Sequence, residues 1–260
     1  MMARDTILYE VSDGVATLTL NRPERLNGIT NRMLREVYET LREVAADTNV
    51  RVLVLTGAGR AFCPGADLKH YTGDGAEAEE RSRPEHFRVP VLLHEMPAVT
   101  IAAINGACAG AGLGWACACD LRVAARSAMF NTAFLNVAVA GDMGLPWTLP
   151  RLVGAGRARE LSLFSEKFGA EEALRLGLVA RVWDDNAFRV EVDRLARRLA
   201  EASPTALRAL KAHYVAAERM GFADYIELET ERHQRISASE DTREAFRAFL
   251  EKRPPRFTGR

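Results

Sequence analysis

The sequence predicts an α/β core followed by a helical C-terminal part. Two observations carry this. Through the first half, short β-branched runs alternate with segments of helical period, whereas beyond Gly141 helical runs punctuated by glycine and proline dominate. A third observation sets the scale: 260 residues suit one large domain, or a core with a small appendage.

The elements follow in order. Residues 7–11 and 15–20 alternate apolar and polar around Asp13-Gly14, a hairpin signal. Thr30 is a predicted N-cap for a helix through Ala46, with Met33, Leu34, Val37, Leu41 and Val44 at helical spacing. A strand is predicted at 51–56. Residues 73–88 are charged, contain glycine and lack a clear period, which predicts a mobile loop or a frayed helix. A strand at 99–104, a small-residue helix from about Ala111 and a strand at 121–125 come next. Helices are then predicted near 155–164, 170–176, 186–202 and 204–219, separated by Gly169, Gly177 and Pro204. A short strand at 178–182 precedes Trp183-Asp184-Asp185.

Composition excludes several function classes. Thirty-five Lys and Arg balance thirty-five Asp and Glu, so no global field favours nucleic acid or a membrane surface. The longest apolar runs are too short to span a bilayer, and Met1-Met2-Ala3-Arg4-Asp5 lacks a signal-peptide core, so a cytoplasmic protein is expected. Cys63, Cys108, Cys117 and Cys119 lie mostly in Ala-rich sequence. Cys117-Ala118-Cys119 has one intervening residue rather than the two of a redox or zinc pair, so buried reduced thiols are expected and no metal site.

The chemistry concentrates in two small-residue stretches and one aspartate. The stretches are Ala61-Phe62-Cys63-Pro64-Gly65-Ala66-Asp67-Leu68-Lys69 and Asn105-Gly106-Ala107-Cys108-Ala109-Gly110-Ala111-Gly112-Leu113-Gly114, each following a predicted strand. Small residues there let backbone N–H groups approach a ligand, and two converging on one carbonyl oxygen make an oxyanion hole. Asp142, in Gly141-Asp142-Met143-Gly144, is placed to move a proton beside the enolate such a hole stabilises.

With Asn21-Arg22-Pro23, Ile101-Ala102-Ala103-Ile104-Asn105-Gly106, Cys119-Asp120, Leu149-Pro150-Arg151-Leu152-Val153-Gly154 and Phe249-Leu250-Glu251-Lys252-Arg253, these stretches make the chain closely resemble the crotonase family, the enoyl-coenzyme A hydratases and isomerases. The resemblance runs from about Leu18 to Phe257. It implies a spiral of ββα turns over residues 1–200 carrying the oxyanion hole and acyl-CoA site. It also implies a helical subdomain over 201–260 that helps assemble homotrimers, or hexamers made of two trimers. The coenzyme A thioester is then the substrate, and no cofactor is expected.

Residue by residue, the resemblance implies oxyanion donors at the N–H groups of Ala66 and Ala111. Pro64 stands where the family usually keeps an N–H, two positions before the first donor, and cannot remove it. The family's hydratases use two glutamates, and their places hold Gly114 and Phe134, neither able to transfer a proton. Asp142, eight residues after Phe134, matches an acid found in isomerases of the family. One carboxylate suffices to take a proton from the α-carbon and return it to the γ-carbon.

The implied reaction is therefore an enoyl-CoA isomerisation with Asp142 as acid/base, in surroundings made apolar by Phe134 and Trp147. Other readings stand open: an atypical hydratase, a dehalogenase-like hydrolase with Asp142 as nucleophile, a non-catalytic acyl-CoA binder, or Asp142 as N-cap of a helix near Met143. For the substrate, Arg25, Ala66, Asp67, Leu68, Lys69, Gly110, Phe134, Trp147 and Lys252 are the implied contacts. Arg22, Arg25 and Lys69 are the cations expected near the nucleotide and pantetheine, and Lys252 is expected to reach a nucleotide held by a neighbouring subunit. Asp67 is expected to cap structure, Asp120 to tie down a turn, and His70, His86 and His94 to be surface or wall residues.

Overall fold

The computed structural model describes residues 4–72 and 82–259. The predicted hairpin forms: β1 (Ile7–Ser12) and β2 (Val15–Leu20) pair antiparallel across Asp13 and Gly14, whose φ values are 52° and 80°. Positive φ at both positions matches the twist of the flanking strands. Helix α1 (Asn31–Ala46) begins where Thr30 Oγ1 accepts the Met33 N–H, and its Met33, Leu34, Val37, Leu41 and Val44 stripe is buried.

The chain then repeats one course. Strand β3 (Val52–Gly57) leads to β4 (Ala61–Cys63), then α2 (Leu68–Thr72) and α3 (Val89–Glu95). Strand β5 (Val99–Ile104) leads to β6 (Ala107–Ala109) and α4 (Gly110–Ala118). Strand β7 (Leu121–Ala125) leads to β8 (Met129–Asn131) and α5 (Leu145–Val153). After α6 (Ala155–Phe164) come β9 (Phe168–Gly169), α7 (Ala170–Arg175), β10 (Arg181–Trp183) and α8 (Asp185–Ala200). Helices α9 (Pro204–Ala217), α10 (Phe222–Ser237) and α11 (Glu240–Leu250) complete the fold.

Each course gives its first strand to one sheet and its second to another. The larger sheet has the order β1-β2-β3-β5-β7-β10, parallel except for β1; the smaller is β4-β6-β8-β9, with β9 antiparallel. Strand periodicity divides the core. Val52, Val54, Ile101 and Ala103 face Phe188, Val192 and Ala196 of α8, while Leu53, Leu55, Ala102 and Ile104 face the larger core with α1 and α4. Coverage of both faces explains why β5 is buried along its whole length.

The helical end is fastened by buried polar groups. Lys211 of α9 donates to the carbonyls of Leu93 (3.1 Å) and Ala98 (2.8 Å) and pairs with Asp120 at 2.8 Å. The same Asp120 oxygen accepts the Thr100 N–H and hydroxyl, so the aspartate expected to hold a turn also joins β5 to α9.

Three expectations need correction or restriction. The late strand begins at Arg181 rather than residue 178, because the N–H groups of Leu178 and Val179 are taken by the Ala173 carbonyl, closing α7. The helix expected near Met143 begins at Leu145, with Gly144 at its N-cap, so Asp142 does not cap it. Of the segment expected to be a loop or frayed helix, residues 73–81 lie outside the described residues, while Pro84–Arg88 form a 3-10 turn in which His86 is buried. No helix among the described residues is long and apolar enough to cross a membrane, and no group of three or more His, Cys, Asp and Glu among them is placed to hold a metal.

Candidate active site

The two small-residue stretches meet. Gly65, at the middle of the first, has φ 98°, and a Cβ placed there would lie 3.2 Å from the Ala109 carbonyl oxygen and 3.3 Å from the Ala111 nitrogen. Only a glycine allows both that backbone conformation and that approach. On one side of the strand-like stretch, Ile29 is bridged by the Gly65 carbonyl and the Asp67 N–H, leaving the N–H of Ala66 between them pointing away. On the other side, Ala111 is the second residue of α4, and its N–H is one of the helix's first four, which have no acceptor within the helix. Its φ is not positive, so the methyl group is tolerated there.

The third component comes from the loop before α5. Gly114 lies three residues after Ala111 on α4, about 4.5 Å along the helix axis at 1.5 Å per residue. A Cβ at Gly114 would fall 2.8 Å from Met143 Cβ, 2.9 Å from the Met143 carbonyl and 3.2 Å from the Asp142 carbonyl. The backbone of Asp142 and Met143 therefore fills the space a side chain at 114 would need. Asp142 is half-buried, and among the described residues its side chain makes one hydrogen bond, accepting the Met143 N–H on Oδ1 at 2.7 Å. Burial raises its pKa above the ordinary aspartate range, opposed in part by that N–H. Phe134 is half-buried against the core close in sequence to this loop.

The cations separate into groups. Arg22, Arg25, Asp67, Lys69 and His70 line one cavity of about 250 Å³. Asp67 itself is committed to structure: Arg22 holds one oxygen at 2.9 Å and the His70 N–H reaches the other. Burial works to raise the Asp67 pKa, but the Arg22 and His70 hydrogen bonds leave it lowered. Leu68 and Lys69 are exposed at the start of α2. Lys252 is exposed just beyond the end of α11 with φ 53°.

Trp147 was expected beside Asp142. Its ring stacks under the Arg151 guanidinium at 3.7 Å and meets His94 edge-on at 5.5 Å. It lines a cavity of about 360 Å³ with His94, Cys117, Leu210, Tyr214 and Glu218, towards the C-terminal end of α4. The nearby thiols offer no nucleophile, since burial pushes Cys63, Cys117 and Cys119 up to about 12. What sequence reasoning missed is Met143. Its φ of 49° and its N–H to Asp142 carry no compositional signal.

Comparison with known proteins agrees with this architecture. The model of the enoyl-CoA hydratase/isomerase family matches residues 10–260. A Rhodobacter capsulatus protein named as a probable enoyl-CoA hydratase is 40% identical, with all of both chains covered. The 1,2-epoxyphenylacetyl-CoA isomerase of Escherichia coli is 39% identical over 98% of each chain. The crystal structure of an enoyl-CoA hydratase from Bacillus anthracis superposes with a TM-score of 0.90 at 30% identity, covering 98% of this chain and 100% of that one. A chain that combines the paired strand courses, the abutting glycine turns and these matches along its length belongs to the enoyl-CoA hydratase/isomerase family, the crotonases.

Proposed function

We propose that the protein is an enoyl-CoA isomerase that shifts a double bond through an enolate, with Asp142 as the sole proton carrier. The observation that supports this best is the exchange at Gly114. Where a hydratase carboxylate would project from α4, there is no side chain and no room for one, and the segment filling that space brings a different acid. Phe134 removes the second hydratase carboxylate. In the proposed reaction, the N–H groups of Ala66 and Ala111 hold the thioester oxygen. Asp142 takes the α-proton, the C–H electrons pass into the dienolate, and the same carboxyl returns the proton to the γ-carbon. A raised pKa suits this double duty, since the group must be both an adequate base and a ready acid.

A hydratase needs a second group to activate water, and among the described residues no second titratable side chain bonds to Asp142. A nucleophilic Asp142 would need a base to hydrolyse its ester. The two histidines nearest to Asp142 in sequence have other partners, His86 the Arg83 N–H and His94 Glu218. Asp142 is bonded only to a backbone N–H, which taken alone fits a pure binder; its half-burial, its raised pKa and an oxygen with no partner among the described residues favour an enzyme. The test is isomerisation of a β,γ-enoyl-CoA in deuterated water: incorporation at the α- or γ-carbon is expected, with slow or no hydration of crotonyl-CoA. Rapid hydration of crotonyl-CoA without exchange would refute the reading.

The cavity lined by Arg25 and Lys69 is proposed to receive the coenzyme A phosphates, with Lys252 serving a neighbouring subunit's ligand. Alanine at each position is expected to weaken coenzyme A binding while leaving turnover of bound substrate nearly unchanged. Calorimetry showing wild-type affinity in all three single variants would dismiss this assignment.

A further inference from the structure

Asp142 is a flexible side chain on a loop, yet a proton carrier must keep one oxygen fixed over two carbon atoms in turn. The loop has a device for this. Met143 is buried and adopts a left-handed backbone conformation, φ 49°, unusual for a residue with a long side chain. In that conformation its N–H turns back onto Asp142 Oδ1 at 2.7 Å, leaving Oδ2 with no protein partner among the described residues. The loop cannot relax towards α4, because the Met143 Cβ and carbonyl already occupy the space above Gly114. Neither can it slide along α5, whose first turn is tied back by the Leu145 N–H to the Asp142 carbonyl at 3.1 Å.

We propose that Met143 is a positioning residue, whose strained backbone, accommodated by Gly114, clamps one oxygen of Asp142 so that proton transfer proceeds through the other alone. The inference rests on Asp142 being the proton carrier. The strain is held by the Met143 Cβ and carbonyl lying against the bare α4 surface at Gly114, contacts that do not depend on the rest of the side chain. The consequence is geometric: the α-proton leaves to, and the γ-proton arrives from, one and the same carboxyl oxygen.

The test separates the clamp from the reading it rests on by following the Asp142 carboxyl directly, by carbon-13 NMR titration, alongside kinetics. Replacing the Met143 amide by an ester, with the α-hydroxy analogue of methionine, deletes the N–H and keeps the side chain. The Asp142 titration and the acidic limb of kcat should then both move to higher pH, since the deleted donor favours the carboxylate. At a pH above the limb, kcat should fall by about three- to tenfold, the loss of one hydrogen bond, with KM unchanged. Met143→Ala keeps the N–H and should leave the titration in place. Gly114→Ala, which pushes directly on Met143, should displace it. An ester variant that folds and titrates as wild type would overturn the clamp whatever the activity does. If the titration moves but Asp142→Asn keeps full activity, the hydrogen bond is as described, the catalytic assignment of Asp142 fails, and the positioning role falls with it.

Discussion

Asp142→Asn is expected to slow isomerisation of a β,γ-enoyl-CoA by about 10²–10⁴-fold, the usual contribution of general acid–base catalysis. Asparagine keeps the shape and can still accept the Met143 N–H, so the loss reports proton transfer rather than a collapsed loop. The same change is expected to raise Tm at neutral pH. Burial raises the Asp142 pKa in the folded state, so the folded protein holds this proton more tightly than the unfolded chain. The charged form therefore costs native stability fully above the folded pKa, and the cost disappears as pH falls below the unfolded value, about 4. The Tm gain of the Asn variant should accordingly shrink in acid. A variant with wild-type rate, or one that is destabilised at pH 7 and not at pH 4, would contradict this account.

The second large effect concerns the oxyanion donors. Ala111→Pro removes the N–H at the second position of α4, where the helix itself does not use it. Isomerisation should fall by about 10²–10³-fold, the cost of losing one oxyanion donor. The fall should appear in kcat and kcat/KM together, because the donor acts on charge that develops only in the enolate. Circular dichroism and thermal melting distinguish this from misfolding. A folded variant with unimpaired turnover would place the carbonyl elsewhere, and so would a liganded structure with the thioester oxygen far from Ala66 and Ala111.

How far the sequence alone reaches depends on whether a feature is local. The hairpin, the Thr30 cap and the α1 stripe were legible because each rests on neighbours in sequence and on one period. The two glycine turns were legible as turns, but their meeting only through the family resemblance, because it depends on β4 and β6 lying side by side more than forty residues apart in the chain. Asp142 was identified by its spacing from Phe134. Its release from helix capping depended on α5 starting two residues later than expected, a boundary that pattern leaves uncertain. Trp147 was legible only as an aromatic residue near Asp142 in sequence; its edge-on contact with His94 joins α3 to α5 and has no local signal. Lys211 gave no signal at all, since a lysine in an amphipathic helix reads as a surface residue until its three acceptors are seen.

The bare surface at Gly114 also bears on how such an enzyme changes trade. Making a two-carboxylate site is no matter of writing one glutamate into α4, because even the first carbon of that side chain would lie 2.8 Å from Met143. The loop carrying Asp142 must retreat before an acid can stand at 114, and a form lacking both would have no proton carrier. Descent between the two chemistries therefore passes through a remodelled loop rather than a point substitution. A laboratory lineage selected for water addition should accumulate changes at residues 141–144 before any acid appears at 114.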